Sequence, residues 1–207
     1  MKITILPLVL PLLFMLSMSG YQTAYYYERE SRTEISGDSV NTVTTTTTKV
    51  WIKNGFMRVE GPAVSGAQRQ VVIYRNGAKF LLDENKKTAI RISDRPVNSN
   101  PASQGPVSLD NYEKILMEHG ASKIAAEPAN GEDCNVYMVP PSKIGVASSL
   151  SSHKVWISRQ THFPIKEMIS DSRVTITITY KNMLVSPEIS DTLFEIPGDF
   201  AVTEMQK

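Results

Sequence analysis

Three Asn-Gly pairs, at 54–55, 76–77 and 130–131, each stand between runs rich in β-branched and aromatic residues, and they constrain the chain more than any other feature. Asn and Gly tolerate positive φ, as a tight two-residue hairpin turn requires. The run before the first pair, "TVTTTTTKVWIK", strings five threonines together. Threonine's branched carbon stiffens its side chain against a preceding helical turn but suits a pleated surface, so the run reads as a strand that returns through Phe56 to Glu60. The same grammar predicts strands over Tyr25–Ile35, Gln70–Tyr74, Ala78–Asp83, Thr88–Ile92, Ser122–Glu127, Cys134–Val139, His153–Ser158, Phe163–Ser170 and Arg173–Tyr180. Short strands joined by tight turns make an antiparallel meander.

One helix is expected. Ser108 can cap it, Asp110 suits the positive end of its dipole, Leu109, Tyr112 and Leu116 recur on one face, and Gly120 can close it. The stretches Ser93–Val107 and Pro140–Ser152, rich in Pro, Ser, Asn and Gly, read as long loops.

In "RVTITITYK", Val174, Ile176, Ile178 and Tyr180 fall on one face and Arg173, Thr175, Thr177, Thr179 and Lys181 on the other. One side of the sheet is wet and the other needs a cover. Burying a Val, Ile or Phe side chain is worth about 1.5 to 3 kcal/mol, so an uncovered apolar face would forfeit tens of kcal/mol. A helix of about twelve residues spans only ~18 Å by ~10 Å, too little for a meander of this extent. The sheet is therefore expected to curl on itself, with the helix and loops closing its mouth. Pattern alone leaves open whether the enclosed space is a filled core or a ligand cavity.

At 207 residues the chain has the length of one domain. It opens with Lys2, an apolar run from Ile3 to Met18, then Ser19 and Gly20. This is the layout of a signal peptide over 1–20, with a cut somewhere in 19–24, followed by one domain over 21–207. The run is shorter than the ~20 residues a spanning helix needs, and Pro7 and Pro11 interrupt it. The chain is thus expected to be exported, and no Cys near the junction marks it as a lipoprotein. Without Lys2, 21 cations remain against 21 acids, so no charge steers the domain to nucleic acid. Cys134 is the only cysteine, which rules out an intramolecular disulfide and reads as a small buried apolar residue. His119, His153 and His162 have no metal-ligand spacing, and His119 suits a helix C-terminus. Asp83 and Glu84 read as a solvated hairpin tip. No nucleophile elbow, phosphate-cradling loop or HExxH is present, so the sequence offers no catalytic residues, metal site or cofactor, and no enzyme is expected.

The stretches "KVWIKNGFMRVE", "VVIYRNGAKFLLDENKKTAIRI", "KVWISRQTHFPIKEMI" and "DTLFEIPGDFAV" together resemble, in order and spacing, the LolA-like superfamily of bacterial periplasmic proteins. "GEDCNVYMV" with the second "WI" strand resembles a branch labelled as outer membrane lipoprotein-sorting proteins. The resemblance covers roughly Tyr25 to Val202. It implies a mainly β, α+β fold, in which a strongly curved antiparallel sheet forms an incomplete barrel with a helical lid. It also implies a concave apolar face that carries the acyl chains of lipoproteins between membranes. On this chain the wall residues would be Val50, Ile52, Val71, Ile73, Phe80, Leu82, Ile90, Ile92, Val155, Ile157, Phe163, Ile165, Val174, Ile176 and Ile178. Leu109, Tyr112 and Leu116 would form the underside of the lid, and Met57, Met117, Met138, Met168 and Met183 would lend adaptability. The implied partners are a lipid or lipoprotein acyl chain and the lipoprotein machinery of the inner or outer membrane. The alternative is an envelope protein-interaction or stress-sensing module of the same fold with no lipid cargo. Two features depart from the family: Asn54 stands where the carrier has an Arg that bonds its lid, and no helix is evident between Tyr21 and Ile35. Arg58 matches an Arg of many relatives, with a structural role as fitting as a functional one.

Overall fold

The computed structural model describes residues 23–37, 40–62, 69–93, 109, 112–140 and 152–205. The leader expected over 1–20, its cut, most of both long loops, and the helix-start residues Ser108 and Asp110 lie outside these.

Twelve strands form one sheet. They are β1 (Tyr25–Ser36), β2 (Asn41–Lys53), β3 (Phe56–Pro62), β4 (Arg69–Arg75), β5 (Ala78–Asp83) and β6 (Thr88–Ser93), then β7 (Ser122–Ala129), β8 (Glu132–Met138), β9 (Ser152–Ser158), β10 (Pro164–Ser170), β11 (Val174–Val185) and β12 (Ala201–Glu204). The order across the sheet is β12-β6-β5-β4-β3-β2-β1-β11-β10-β9-β8-β7. Two antiparallel meanders, β1–β6 and β7–β11, thus join where β1 pairs with β11, from Tyr25↔Val185 to Ile35↔Val174. The curved sheet does not close. Each Asn-Gly pair makes the turn its chemistry suits: Asn54, Asn76 and Asn130 have φ of 53°, 51° and 52°, and the following glycines 78°, 68° and 84°. One strand departs from the expected meander, because β12 pairs parallel to β6, with Ala201 opposite Thr88.

Register assigns the faces, since directly paired residues share one. A row Tyr27↔Val50↔Val59↔Val72↔Leu81↔Ile90 crosses the first meander. A second row, Ile178↔Glu167↔Val155↔Tyr137, crosses the other. Both lie on the inner face, where α1 (Tyr112–Glu118) docks. Among the described residues the helix spans seven, Tyr112 to Glu118. It ends where expected: Gly120 has φ +82°, and the Ala121 amide donates to the Leu116 carbonyl at 2.9 Å, closing the last turn. His119 Nδ1 lies 2.7 Å from the Ile115 carbonyl, a capping contact.

The outer face of the first meander is not wet. Glu60↔Val71↔Leu82↔Ala89 and Arg58↔Ile73↔Phe80 place a second apolar row there. A strap leaving β11 crosses this row on its way to β12. Ile196 and Phe200 of the strap pack on Val71, Ile73, Leu82 and Ala89. Ile189 and Phe194 pack with Ala24, beside Trp51 and Phe56. Three cations of the sheet bind strap carbonyls: Lys53 Nζ to Ile189 at 2.7 Å, Arg58 Nη1 to Leu193 at 3.1 Å and Arg75 Nη1 to Phe194 at 3.2 Å. Arg58 therefore has a structural task, and its Nε also pairs with Glu60 at 2.7 Å.

Candidate functional site

The cluster beneath α1 gathers ten of the residues expected at the cavity. Val50, Ile52, Val155, Ile157, Phe163, Ile176 and Ile178 come from the sheet side, and Leu109, Tyr112 and Leu116 from the lid. Val174 packs at its margin. Ile115 of the helix joins them, as do Tyr25, Tyr27, Met57, Tyr137, Ile169 and Tyr180. Ile90 and Ile92 share the inner face through Leu81 and Lys79 but lie outside this cluster, and Ile90 is 38% exposed.

Five expected wall residues face the other way. Val71, Ile73, Phe80 and Leu82 belong to the outer row under the strap. "VVIY" and "FLL" are apolar at both parities, and pairing with β3 turns Val72, Tyr74 and Leu81 inward instead. Ile165 packs outside with Cys134, Val136 and Trp156. The register slip between Pro164 and Lys166 inverts parity there, so Ile165 points out while Glu167, two residues on, points in; Phe163, just before β10, joins the inner cluster. Asn54 is exposed at a hairpin turn. Of the methionines, Met57 is in the inner cluster, Met183 packs against it, Met168 lies outside and Met117 is 59% exposed. Cys134 is buried, and burial pushes its thiol up, which makes it unreactive.

Within the cluster beneath α1 lies a buried carboxylate. Glu167 of β10 is 3% exposed. Its Oε1 accepts from Tyr112 at 3.1 Å and from Tyr180 at 2.5 Å, and its Oε2 lies 3.0 Å from His153 Nε2. Burial, the largest influence, pushes this carboxyl up, but the hydrogen bond and charge of His153 and the two phenols outweigh it and leave it below the ordinary range. An ionised carboxylate only accepts, so His153 Nε2 carries the proton, and Nδ1 is left without a partner. Burial and the Glu167 charge hold Tyr112 and Tyr180 well above the ordinary phenol range, so both remain donors. Burial likewise pushes Tyr27 up to about 12.

A second carboxylate reaches down from the helix. Glu113 accepts from Tyr137 of β8 and from Asn135 at 3.4 Å, and its Oε2 lies 3.3 Å from His162 Nδ1. Burial pushes Glu113 up, and these three partners pull it lower still than an ordinary glutamate. Two adjacent helix residues are thus tied to the second meander. Beside the β5–β6 hairpin of the first meander an open hollow of about 460 Å³ is lined by Leu81, Leu82 and Ile90 among Arg69, Gln70, Thr88 and the polar residues Asp83 to Lys86.

His153, Tyr112 and Tyr180 sit at inward parities the sequence displays. Glu167 shares the parity of Phe163 and Ile169, but a Glu beside Lys166 carries no mark of burial, so this constellation is not apparent from the sequence. Among the described residues no group of three or more His, Cys, Asp and Glu could hold a metal ion, and no helix is long and apolar enough to cross a membrane.

No protein-family model matches the sequence, and no curated protein matches it. Among solved structures, an uncharacterized conserved protein from Thermus thermophilus is similar over 89% of this chain and 91% of its own, with TM-score 0.60 and 7% identity. A LolA superfamily protein from Nitrosomonas europaea covers 84% of this chain and 90% of its own, at TM-score 0.43 and 12% identity. The lipoprotein LppX from Mycobacterium tuberculosis covers 80% and 88%, at 0.44 and 13%. An unclosed, curved sheet with one short helix docked inside it is the incomplete barrel that the sequence resemblance implies. The fold is LolA-like. At these identities the likeness concerns fold alone.

Proposed function

We propose that the protein is a non-enzymatic carrier, exported to the periplasm by residues 1–20 and folded as one domain over 21–207. Its cargo is a lipid or lipoprotein acyl chain, delivered or received by lipoprotein machinery of the inner or outer membrane. One observation carries this reading. The inner face is an apolar strip that starts under α1 and continues past that cover to Val59, Tyr74, Leu81, Ile90 and Ile92, all half-buried or exposed. A hydrocarbon tail laid along the strip gains roughly 25 cal/mol per Å² of apolar area removed from water, so no single residue decides binding. The hollow at the Leu81–Ile90 end lies within the roughly 300–1,000 Å³ of small-ligand sites. Because α1 packs on one end of the strip, a long chain gains that part only as the helix lifts. Native mass spectrometry of protein purified from its own host is expected to show co-purifying acyl species. Protein that is empty and unresponsive to added lipid refutes the carrier.

The packing of α1 onto the inner face favours a second reading, an envelope protein-interaction or stress-sensing module with no lipid cargo. Pull-down from cell envelope with and without detergent separates the two. A stable protein partner with no lipid supports the module.

A further inference from the structure

We infer that Glu167 is a positioning residue for α1: its buried carboxylate, shared by Tyr112 of the helix and by Tyr180 and His153 of the sheet, sets whether the helix lies on the inner face or lifts from it. The consequence for cargo rests on the carrier reading; the effect on the helix does not.

The helix cannot hold itself. Seven residues make two turns of about 10 Å, well below the roughly 12–15 residues at which an isolated helix becomes even marginally stable in water. It persists because it is docked. Ile115 and Leu116 supply apolar contact, which has no preferred register. Direction comes from the polar ties, and the two differ. Glu113 meets Tyr137, Asn135 and His162 nearer the rim, where its own side chain is 25% exposed and the His162 imidazole 64%, so water reaches this carboxylate. Tyr112 meets Glu167 in a dry interior, where a lost donor is not replaced until the helix has moved far enough to admit water.

Two of the three donors to Glu167 stay behind when the helix leaves. Tyr180 is on β11 and His153 on β9, both fixed by strand pairing. The carboxylate therefore remains largely satisfied in the lifted arrangement, and water entering beneath the helix takes the place of the Tyr112 hydroxyl. That makes two discrete arrangements out of one contact, as a switching element needs. The groups facing Glu167 are Tyr112 from α1, Tyr180 from β11, His153 from β9 and Tyr27 from β1. The charge of Arg29 on β1 reaches Tyr27.

The test is hydrogen exchange in the full chain at a single pH, with entry of anthroyloxy stearate followed by fluorescence. Tyr112→Phe keeps the ring and removes only the hydroxyl. It is expected to speed exchange of the amides that close α1, at His119, Gly120 and Ala121, by about tenfold or more while β8–β11 exchange is unchanged. Probe entry should quicken in parallel. Glu167→Gln should weaken the whole fold, since Tyr180 and His153 share that acceptor, and loosen α1 beyond the sheet; the double variant should loosen α1 relative to the sheet no further than the larger single effect. Tyr180→Phe is the control: it removes a donor to the same oxygen from the sheet, so it should weaken the whole fold without changing α1 relative to the sheet. Unchanged α1 exchange in Tyr112→Phe, or equal acceleration in helix and sheet, overturns the inference whatever the probe does. Helix-selective loosening with no probe uptake by any variant upholds the inference and removes the carrier reading.

Discussion

The two meanders use the same hairpin chemistry and are finished in opposite ways. The second, β7–β11, takes its cover on the inside, where α1 is tied down by Tyr112 and Glu113. The first, β1–β6, takes its cover on the outside, where the strap is fixed by Phe194, Ile196 and Phe200 and by three cation–carbonyl contacts. Its inner face is left partly open at Leu81, Ile90 and Ile92. The contrast separates rigidity from access. The strap fills a face that never needs to open, whereas the helix sits on polar ties that can be exchanged for water.

The largest effect should come from breaking the outer cover. Phe194→Ala removes a ring that is 1% exposed and should cost about 3–5 kcal/mol in urea unfolding, with no helix-selective change in exchange. Glu167→Gln comes next, at about 1–3 kcal/mol, since it leaves two phenols and an imidazole with a poorer acceptor. It should also flatten the acid limb of stability. The folded carboxyl ionises more readily than the unfolded one, so its contribution is present above the ordinary glutamate value of 4.5 and drains away as pH falls through the lower folded value. Thermal melts from pH 7 to pH 3 should show a steeper loss in the wild type than in the variant; parallel curves would remove Glu167 from the account. Gly131→Ala, at φ +84° in the β7–β8 turn, should cost about 1 kcal/mol by denaturant midpoint. The smallest stability effect belongs to Ile90→Glu, within about 0.5 kcal/mol because the site is exposed. If the inner strip binds acyl chains, this variant should nonetheless weaken retention of a fatty-acid probe, and unchanged retention would shift binding away from the Leu81–Ile90 end.

The sequence displays the fold where one face alone is apolar. "RVTITITYK" alternates cleanly, and Val174, Ile176, Ile178 and Tyr180 all turn toward the helix. The Asn-Gly pairs reveal three hairpins because few other dipeptides accept two successive positive φ values. Legibility fails where both faces are buried. In "VVIY" and "KFLL" every position is apolar or long, so parity carries no information, and Val71, Ile73, Phe80 and Leu82 prove to be outer residues. Ile165 is obscured by the irregularity between Pro164 and Lys166, which no alternation rule anticipates. The strap is hidden for another reason: its Ile and Phe residues follow no period, because they serve a face built elsewhere in the chain.

The strap also orders events in time. It starts at the end of β11, in the middle of the sheet, and finishes as β12 at the margin beyond β6. A chain emerging in sequence makes Val71, Ile73 and Leu82 more than a hundred residues before Ile196 and Phe200 arrive to shelter them. Until then those early hairpins expose a greasy back, and the long-range closure that protects them comes last, which makes the interval before its arrival the period when a newly made molecule is most prone to stick to its neighbours.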